Sequence, residues 1–401
     1  MFNSLKFKVI FFGFIFTFFS SFGQSYFLGL FNSSIRETLS ITHGQFGSIY
    51  ASATLCSSIL LIWVGKKIDD VNVFKFALFV TILLSFACFF FSKISSVLLL
   101  FIAIFLMRFS GQGMMSHTAS TTISRYFTRT RGKALSISWF GLSSAEFIMP
   151  VLMVYLLTII DWQNLWLIFS ITVLIVLPIA SFLLIKNLNL DSREANDENI
   201  KEVEIKQWKR IEVIKDYRFY IISSNMLAMP WIFTGFAVFQ SFVQTSKGWG
   251  PYVIAQSFMS YSVLSVLTLF LSGFLIDKFT SRKLLIYMNI PLLLSVIVLF
   301  FFDAPFTAFI FLGLVGISNG FANILGSSTW AELYGVKYLG SIKALTTALM
   351  VFATAFGTAL FGYLIDIGFT VGDIAVVSGT YIFISLILLF LVRKKLNPVI
   401  I

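Results

Sequence analysis

Residues 108–146 read RFSGQGMMSHTASTTISRYFTRTRGKALSISWFGLSSAE, and their layout decides what kind of protein this is. Arg108 opens the stretch and Glu146 closes it, each inside an apolar run, with Arg125, Arg129, Arg131 and Lys133 clustered between them. An ionisable side chain in hydrocarbon costs roughly 2.5–3.5 kcal/mol on insertion scales, so it persists where it pairs, faces a wet cavity or serves a function. The basic cluster is therefore an aqueous corner joining two membrane-spanning helices, and the two outer charges lie at membrane depth.

The rest of the chain has the same character. Of 401 residues, 58% are hydrophobic and only 12% charged, against about a quarter charged in soluble domains. An all-α polytopic membrane protein follows. A spanning helix takes roughly 20 residues, so twelve fit with short loops. Apolar runs predict them near 7–30, 44–64, 74–92, 96–123, 134–158, 164–186, 218–243, 251–276, 283–302, 305–328, 341–366 and 372–392. The first run is too long for a signal-peptide core and lacks a small-residue cleavage site, so it is expected to remain as a helix. Thr42 followed by Gln45 is a capping box that starts the second. Cys56 and Cys88 sit inside apolar runs as small packing residues, which implies neither a disulfide framework nor a metal site.

The net charge of +11 reflects the excess of basic residues on the cytoplasmic side of membrane proteins rather than a nucleic-acid partner. With both termini cytoplasmic, 25 of the 29 Lys and Arg fall on that side; Arg36, Lys93 and Lys247 lie opposite and Arg108 lies inside. The charged stretch NLNLDSREANDENIKEVEIKQWKR, residues 187–210, has no spanning potential and splits the chain six plus six. The expected organisation is a first six-helix bundle at 1–186, a cytoplasmic linker at 187–216 and a second bundle at 217–401. Within the linker, Ile200, Val203, Ile205, Trp208 and Ile211 recur at near-helical spacing, which fits a surface-lying amphipathic helix as well as a solvated linker.

The halves echo each other. Gly65 and Asp69 follow the second helix, Gly273 and Asp277 follow the eighth, and each pair is 208 positions apart. RTRGKALS follows the fourth helix and YLGSIKALT the tenth, with Gly132 and Gly340 again 208 apart. Three coincident offsets mark a 6+6 pseudo-repeat.

These residues resemble the major facilitator superfamily along essentially the whole chain. Gly65 and Asp69 partly meet its loop pattern after the second helix, although Asp70 stands where a basic residue is expected and Asn72, Val73 and Phe74 depart from it. The second copy keeps Gly273, Asp277, Lys278 and Arg282, with Thr280 in place of a glycine. Arg108, Gly111 and Gly113 resemble the arginine and glycine pattern of the fourth helix, with the glycine spacing off by one. SRYFTRTRGKALSIS and WAELYGVKYLGSIKAL are similar to loops of the monocarboxylate and oxalate exchanger branch. The resemblance implies two six-helix bundles that rock about a mid-membrane substrate site. It also implies a cytoplasmic gate formed by Gly65, Asp69, Arg131, Gly132, Gly273, Asp277, Lys278, Arg282 and Gly340. In that gate each aspartate meets a helix N-terminus of the other half, where the helix dipole favours a carboxylate. The alternative is that Asp69 and Asp277 merely cap turns.

Arg108 lies about 25 Å above Arg125, and Glu146 about 22 Å above Arg131, at 1.5 Å per helical residue. Matched depths on consecutive helices predict an ion pair or a shared water cluster. Either Arg108 is the counter-charge of an anionic substrate and Glu146 holds it or carries a proton, or the pair glues two helices together. Gln112 is one turn on from Arg108. His117, two and a half turns on, is either a second proton-coupling group or a packing residue. Gln24 with Ser25 and Tyr26, Asn225 with Trp231 and Gln240, and Asn319 with Asn323 put polar groups on the first, seventh and tenth helices. The resemblance places helices 1, 4, 7 and 10 around the cavity, which makes Arg108, Gln112, Gln24, Tyr26, Trp231, Asn319 and Asn323 the substrate-site candidates. The function expected is secondary transport of a small organic anion such as a monocarboxylate, by a monomer in the inner or plasma membrane, with proton coupling and no cofactor or metal. Proton-driven efflux of lipophilic compounds is the alternative transporter. A sensor with a transporter fold is the alternative of another class. An enzyme would need clustered His, Asp, Glu or Cys at depth, where only Glu146 and His117 qualify.

Overall fold

A computed structural model of the chain describes residues 5–127, 130–186 and 206–398; the side chains of Asp69, Arg131, Asp277 and Ser327 also lie outside the described set. Arg129 and residues 187–205 of the expected linker fall outside it too. Twelve helices among the described residues are long and apolar enough to cross a membrane. They are α1 (Leu5–Gly29), α2 (His43–Ile68), α3 (Val73–Phe91), α4 (Val97–Tyr126), α5 (Gly132–Leu156), α6 (Trp162–Ile185), α7 (Tyr217–Val238), α8 (Pro251–Ile276), α9 (Ser281–Phe301), α10 (Thr307–Tyr334), α11 (Leu339–Asp366) and α12 (Val371–Lys395). Local chemistry starts several of them. Thr42 and Gln45 form the expected capping box at α2, with the Gln45 amide 3.2 Å from Thr42 Oγ1 and the Thr42 amide 3.0 Å from Gln45 Oε1. Ser96 caps α4 through the Leu99 amide, and Asp216 caps α7 through the Arg218 amide.

Contacts divide the chain into two compact units, Met1–Glu198 and Asn199–Ile401. In the first, α1 packs along α5, α2 along α4, and α3 along α6. In the second, α7 packs along α11, α8 along α10, and α9 along α12, so the same pairing recurs six helices later. Small residues set two of these crossings. A Cβ on Gly141 of α5 would collide with the Phe14 carbonyl of α1, and one on Gly357 of α11 with the Trp231 carbonyl of α7. Without a hydrophobic drive between helices in lipid, such close backbone approach and hydrogen bonds carry the packing. Ser85 and Ser170 supply the latter between α3 and α6, each hydroxyl reaching the other's carbonyl at 2.8–2.9 Å.

Three features depart from the sequence-based expectation. The first is in α1, which is not continuous: a 3₁₀ turn at Ser21–Gly23 and an extended Gln24 (φ −80°, ψ 150°) interrupt it before it resumes at Ser25–Gly29. The second is in α4, where Arg108–Met115 is π-helical between α-helical flanks. The third is the end of the linker, which folds onto the second unit. The Trp208 amide donates to Tyr334 O at 3.0 Å and its indole meets the Tyr334 ring edge-on. Trp208 is therefore not part of a surface-lying apolar face.

Candidate functional site

The two irregular segments of the first unit pack on each other, and Arg108 joins them. A backbone break leaves a carbonyl without its helical donor, and a buried one needs a replacement. Arg108 Nη1 supplies it, donating to Gly23 O at 3.0 Å and to Ser25 Oγ at 3.2 Å. Tyr50 of α2, absent from the sequence candidates, completes the group. Its hydroxyl donates to Ser25 Oγ at 3.0 Å and its ring centroid lies 5.4 Å from the guanidinium carbon. Gly23 and Gly111 let the backbones touch: a Cβ on Gly23 would collide with the Gln112 amide and the Met107 carbonyl, and one on Gly111 would lie 2.7 Å from Gly23 N. A π turn bonds i to i+5 and so accommodates one more residue than an α turn.

The expected Arg108–Glu146 ion pair does not form. Arg108 is 3% exposed, and among the described residues it has no carboxylate within ion-pair distance and its Nε has no hydrogen-bond partner. Glu146 is 8% exposed and makes neither an ion pair nor a side-chain hydrogen bond among the described residues. Its helix, α5, packs against the resumed half of α1, where Tyr26 is 2% exposed. Both helices that carry the charges reach the broken part of α1: Arg108 of α4 bonds residues 23 and 25, and α5 contacts the segments on either side of Gln24. Gln24 and Gln112 are half-buried at the break, with no side-chain hydrogen bond among the described residues. His117 lies elsewhere on α4, with Nε2 3.0 Å from Gly65 O at the end of α2. Arg125 reaches Ile68 O in the next turn at 3.0 Å. Both side chains satisfy carbonyls that a helix terminus leaves open.

A family model described as Major Facilitator Superfamily matches residues 13–259. The chain belongs to the major facilitator superfamily. Its fold is similar to that of a bacterial homologue of the human lysosomal transporter Spinster in its inward-facing, unoccupied conformation. That match has a TM-score of 0.76 and 12% identity, and covers 98% of each chain. It is also similar to the nucleoside transporter NupG, with a TM-score of 0.69 and 15% identity, covering 98% of this chain and 99% of that one. No curated protein sequence matches the chain significantly. The protein is thus an integral multi-pass membrane transporter of the secondary type, which moves a small solute, and not an enzyme.

In the second unit of this facilitator the candidates are spread out. Trp231 is buried among Phe356, Phe361 and Tyr381, and its indole N–H has no partner among the described residues. Asn319 donates to Ser265 Oγ at 2.9 Å across the α8–α10 crossing, whereas Asn323, one turn on, is exposed. Asn225 is fully buried against Ser385, and its carbonyl accepts from Asn289. Among the expected gate residues, Lys278 is exposed. Arg282 pairs with Glu332 of α10, Nε to Oε1 at 2.9 Å. Glu332 also caps α9, accepting from the Ser281 amide at 3.0 Å. Thr280, the residue that replaces a glycine, holds φ +72° and ψ 150°, a conformation almost confined to glycine. The charge partners here, Glu332 and the buried Asp216–Arg218 bridge at 2.8 Å, were missed in sequence. Their signal was present as an acid just inside the end of an apolar run and an Asp-x-Arg at the start of another.

Proposed function

We propose that the chain transports a small organic anion of the monocarboxylate kind by alternating access, with Arg108 as the substrate's counter-charge. The state of Arg108 carries this proposal: a buried guanidinium with no carboxylate at hand and one N–H without an acceptor. A buried unpaired charge is costly, and a carboxylate matches the guanidinium fork with two parallel bonds. The similarity of the two loop segments to the monocarboxylate and oxalate branch agrees with this class. Binding fills the open edge of the guanidinium: the substrate takes the unpartnered Nε, while Nη1 stays on Gly23 and Ser25 and the Tyr50 ring holds the group in place.

Glu146 carries the coupling proton in this scheme. With Arg108 charged, one carboxylate bound and Glu146 protonated, the site is neutral, which is the favoured state for crossing hydrocarbon. Gln24, Tyr26 and Gln112 complete the lining in the first unit, Trp231, Asn319 and Asn323 are the candidates of the second, and His117 is the weakest coupling candidate because it is engaged at Gly65. The gate is assigned to Gly65, Asp69, Arg131, Gly132, Gly273, Asp277, Lys278, Arg282 and Gly340 on the cytoplasmic side. Residues 1–186 and 217–401 act as the halves that rock, and both termini are cytoplasmic.

Counterflow of radiolabelled lactate, pyruvate and benzoate into proteoliposomes is the test. Saturable counterflow that Arg108→Ala abolishes supports the proposal; counterflow indifferent to Arg108 overturns it. Glu146→Gln, which stands in for the protonated carboxyl, is expected to keep exchange but lose accumulation driven by a proton gradient. Absence of carboxylate flux together with Glu146-dependent resistance to amphipathic drugs would mark a lipophile exporter instead.

A further inference from the structure

We infer that the second unit carries a docking surface for anionic phospholipid headgroups, built from the end of the linker and the segment that follows α12. Two pieces of chain far apart in sequence are pinned side by side there. Val213, in the short helix Arg210–Lys215, and Leu396 are both buried in one core with Phe219 and Leu389. Arg218 Nη1 donates to Lys395 O at 3.3 Å and to Asn397 O at 2.8 Å. Arg282 Nη1 donates to Leu396 O at 3.2 Å and to Asn397 Oδ1 at 2.7 Å. Each arginine thereby places one nitrogen on this segment and holds it, while its other donors go to Asp216 or Glu332.

This anchoring leaves a different set of cations outside. Lys209, Arg210 and Lys215 on one piece, and Arg393, Lys394 and Lys395 on the other, are exposed and pair with no carboxylate among the described residues. The nearby acid is already engaged: Glu212 accepts from the Lys209 amide at 2.8 Å and pairs with Lys206 Nζ at 2.9 Å. Those bonds, the Lys209 amide first, hold its carboxyl below the usual glutamate range.

Beside the cations lie exposed apolar side chains. Ile211 is 67% exposed and Ile214 38% on the short helix, and beyond the extended Asp216 the exposed Tyr217 and Tyr220 carry this apolar stripe into the first turn of α7. A stripe that enters a membrane span at its first turn lies at the boundary of headgroups and acyl chains, where tyrosine and isoleucine are favoured. Cations at that level attract anionic lipid, and the attraction fades within a Debye length. Charge sign, depth and the apolar stripe together select a lipid surface over a soluble anion, which would leave Ile211 and Ile214 in water. The acidic residues of 191–204, outside the described set, are the competing occupant.

The experiment compares the full chain in nanodiscs of phosphatidylcholine alone with nanodiscs that also contain phosphatidylglycerol. Melting temperature and the phosphatidylglycerol molecules retained in native mass spectra are the readouts. The wild type is expected to melt higher with phosphatidylglycerol and to retain it. The triple variants K209Q/R210Q/K215Q and R393Q/K394Q/K395Q should each lose most of that increment and retain fewer molecules. A control triple in the first unit, K66Q/K67Q/K75Q, removes the same charge and should behave as wild type. A wild type indifferent to phosphatidylglycerol would overturn the inference and point to the acidic linker as occupant. Equal losses in the control triple would overturn it as well, because the effect would then follow net charge rather than this surface.

Discussion

Replacing Arg108 with lysine keeps the charge and removes the fork. Arg108 Nη1 reaches Gly23 O and Ser25 Oγ at 3.0 and 3.2 Å while Nε stays without a partner, so the edge offered to a carboxylate is the guanidinium edge that lysine lacks. A hydrogen bond to a charged group contributes roughly 1.5–3 kcal/mol. Losing one of two on the substrate therefore raises its half-saturation concentration by roughly 10- to 150-fold at about 1.4 kcal/mol per decade. Alanine removes the charge but also orphans the buried Gly23 carbonyl, a further ~1–3 kcal/mol against folding, so lysine is the cleaner perturbation. The measurement is carboxylate counterflow into proteoliposomes, with thermal melting of the same preparations to separate binding from folding. Tyr50→Phe provides a graded companion. It keeps the ring under the guanidinium, loses the hydroxyl bond to Ser25 and, at ~0.5–1.5 kcal/mol, should weaken half-saturation by roughly 2- to 10-fold. A well-folded Arg108→Lys protein with wild-type half-saturation would refute the assignment of Arg108 as the counter-charge.

Three other perturbations address the framework. Gly23→Ala forces a Cβ into the Gln112 amide and Met107 carbonyl, and because both are backbone the segments must separate; a loss of about 1–3 kcal/mol in stability and loss of flux are expected, read by melting and counterflow. His117→Ala frees the Gly65 carbonyl and should lower stability by about 1 kcal/mol with the proton dependence of uptake unchanged; an altered pH profile would restore His117 as a coupling group. Thr280→Gly relieves a β-branched residue held at φ +72°, and should raise stability by roughly 1 kcal/mol; a lowered melting temperature would show that the Thr280 side chain matters more than its backbone strain.

Much of the architecture was legible because in a bilayer composition and length are nearly sufficient. Every backbone group of a span must be satisfied within its helix, so apolar runs of the right length become helices whatever surrounds them. The capping box at Thr42 is a local signal and formed as read, and the 208-residue offsets are a periodic one that accompanies helix pairings recurring six helices later. The site was legible only in part. Arg108 and Glu146 stood out because charges in apolar runs are rare, yet their partners were misassigned. A rise of 1.5 Å per residue predicts depth along the membrane, and depth alone does not say which helix a side chain turns toward. Tyr50 gave no signal, since a tyrosine in an apolar run is unremarkable until a guanidinium is placed over its ring.

The sequence by itself determined that this is a twelve-span facilitator-type chain, and that one cation and one carboxylate lie inside helices long and apolar enough to cross a membrane. Those properties follow from hydrophobicity, spacing and the penalty for burying charge, which act residue by residue. Only the tertiary structure decided that α1 breaks at Ser21–Gln24, that α4 widens into a π turn against it, and that Arg108 is held by Gly23, Ser25 and Tyr50 instead of Glu146. A broken helix is tolerable in a membrane only when another segment satisfies its open carbonyls. The donor that does so comes from residue 108, some 85 positions away from Gly23, a pairing that neither local propensity nor periodicity encodes.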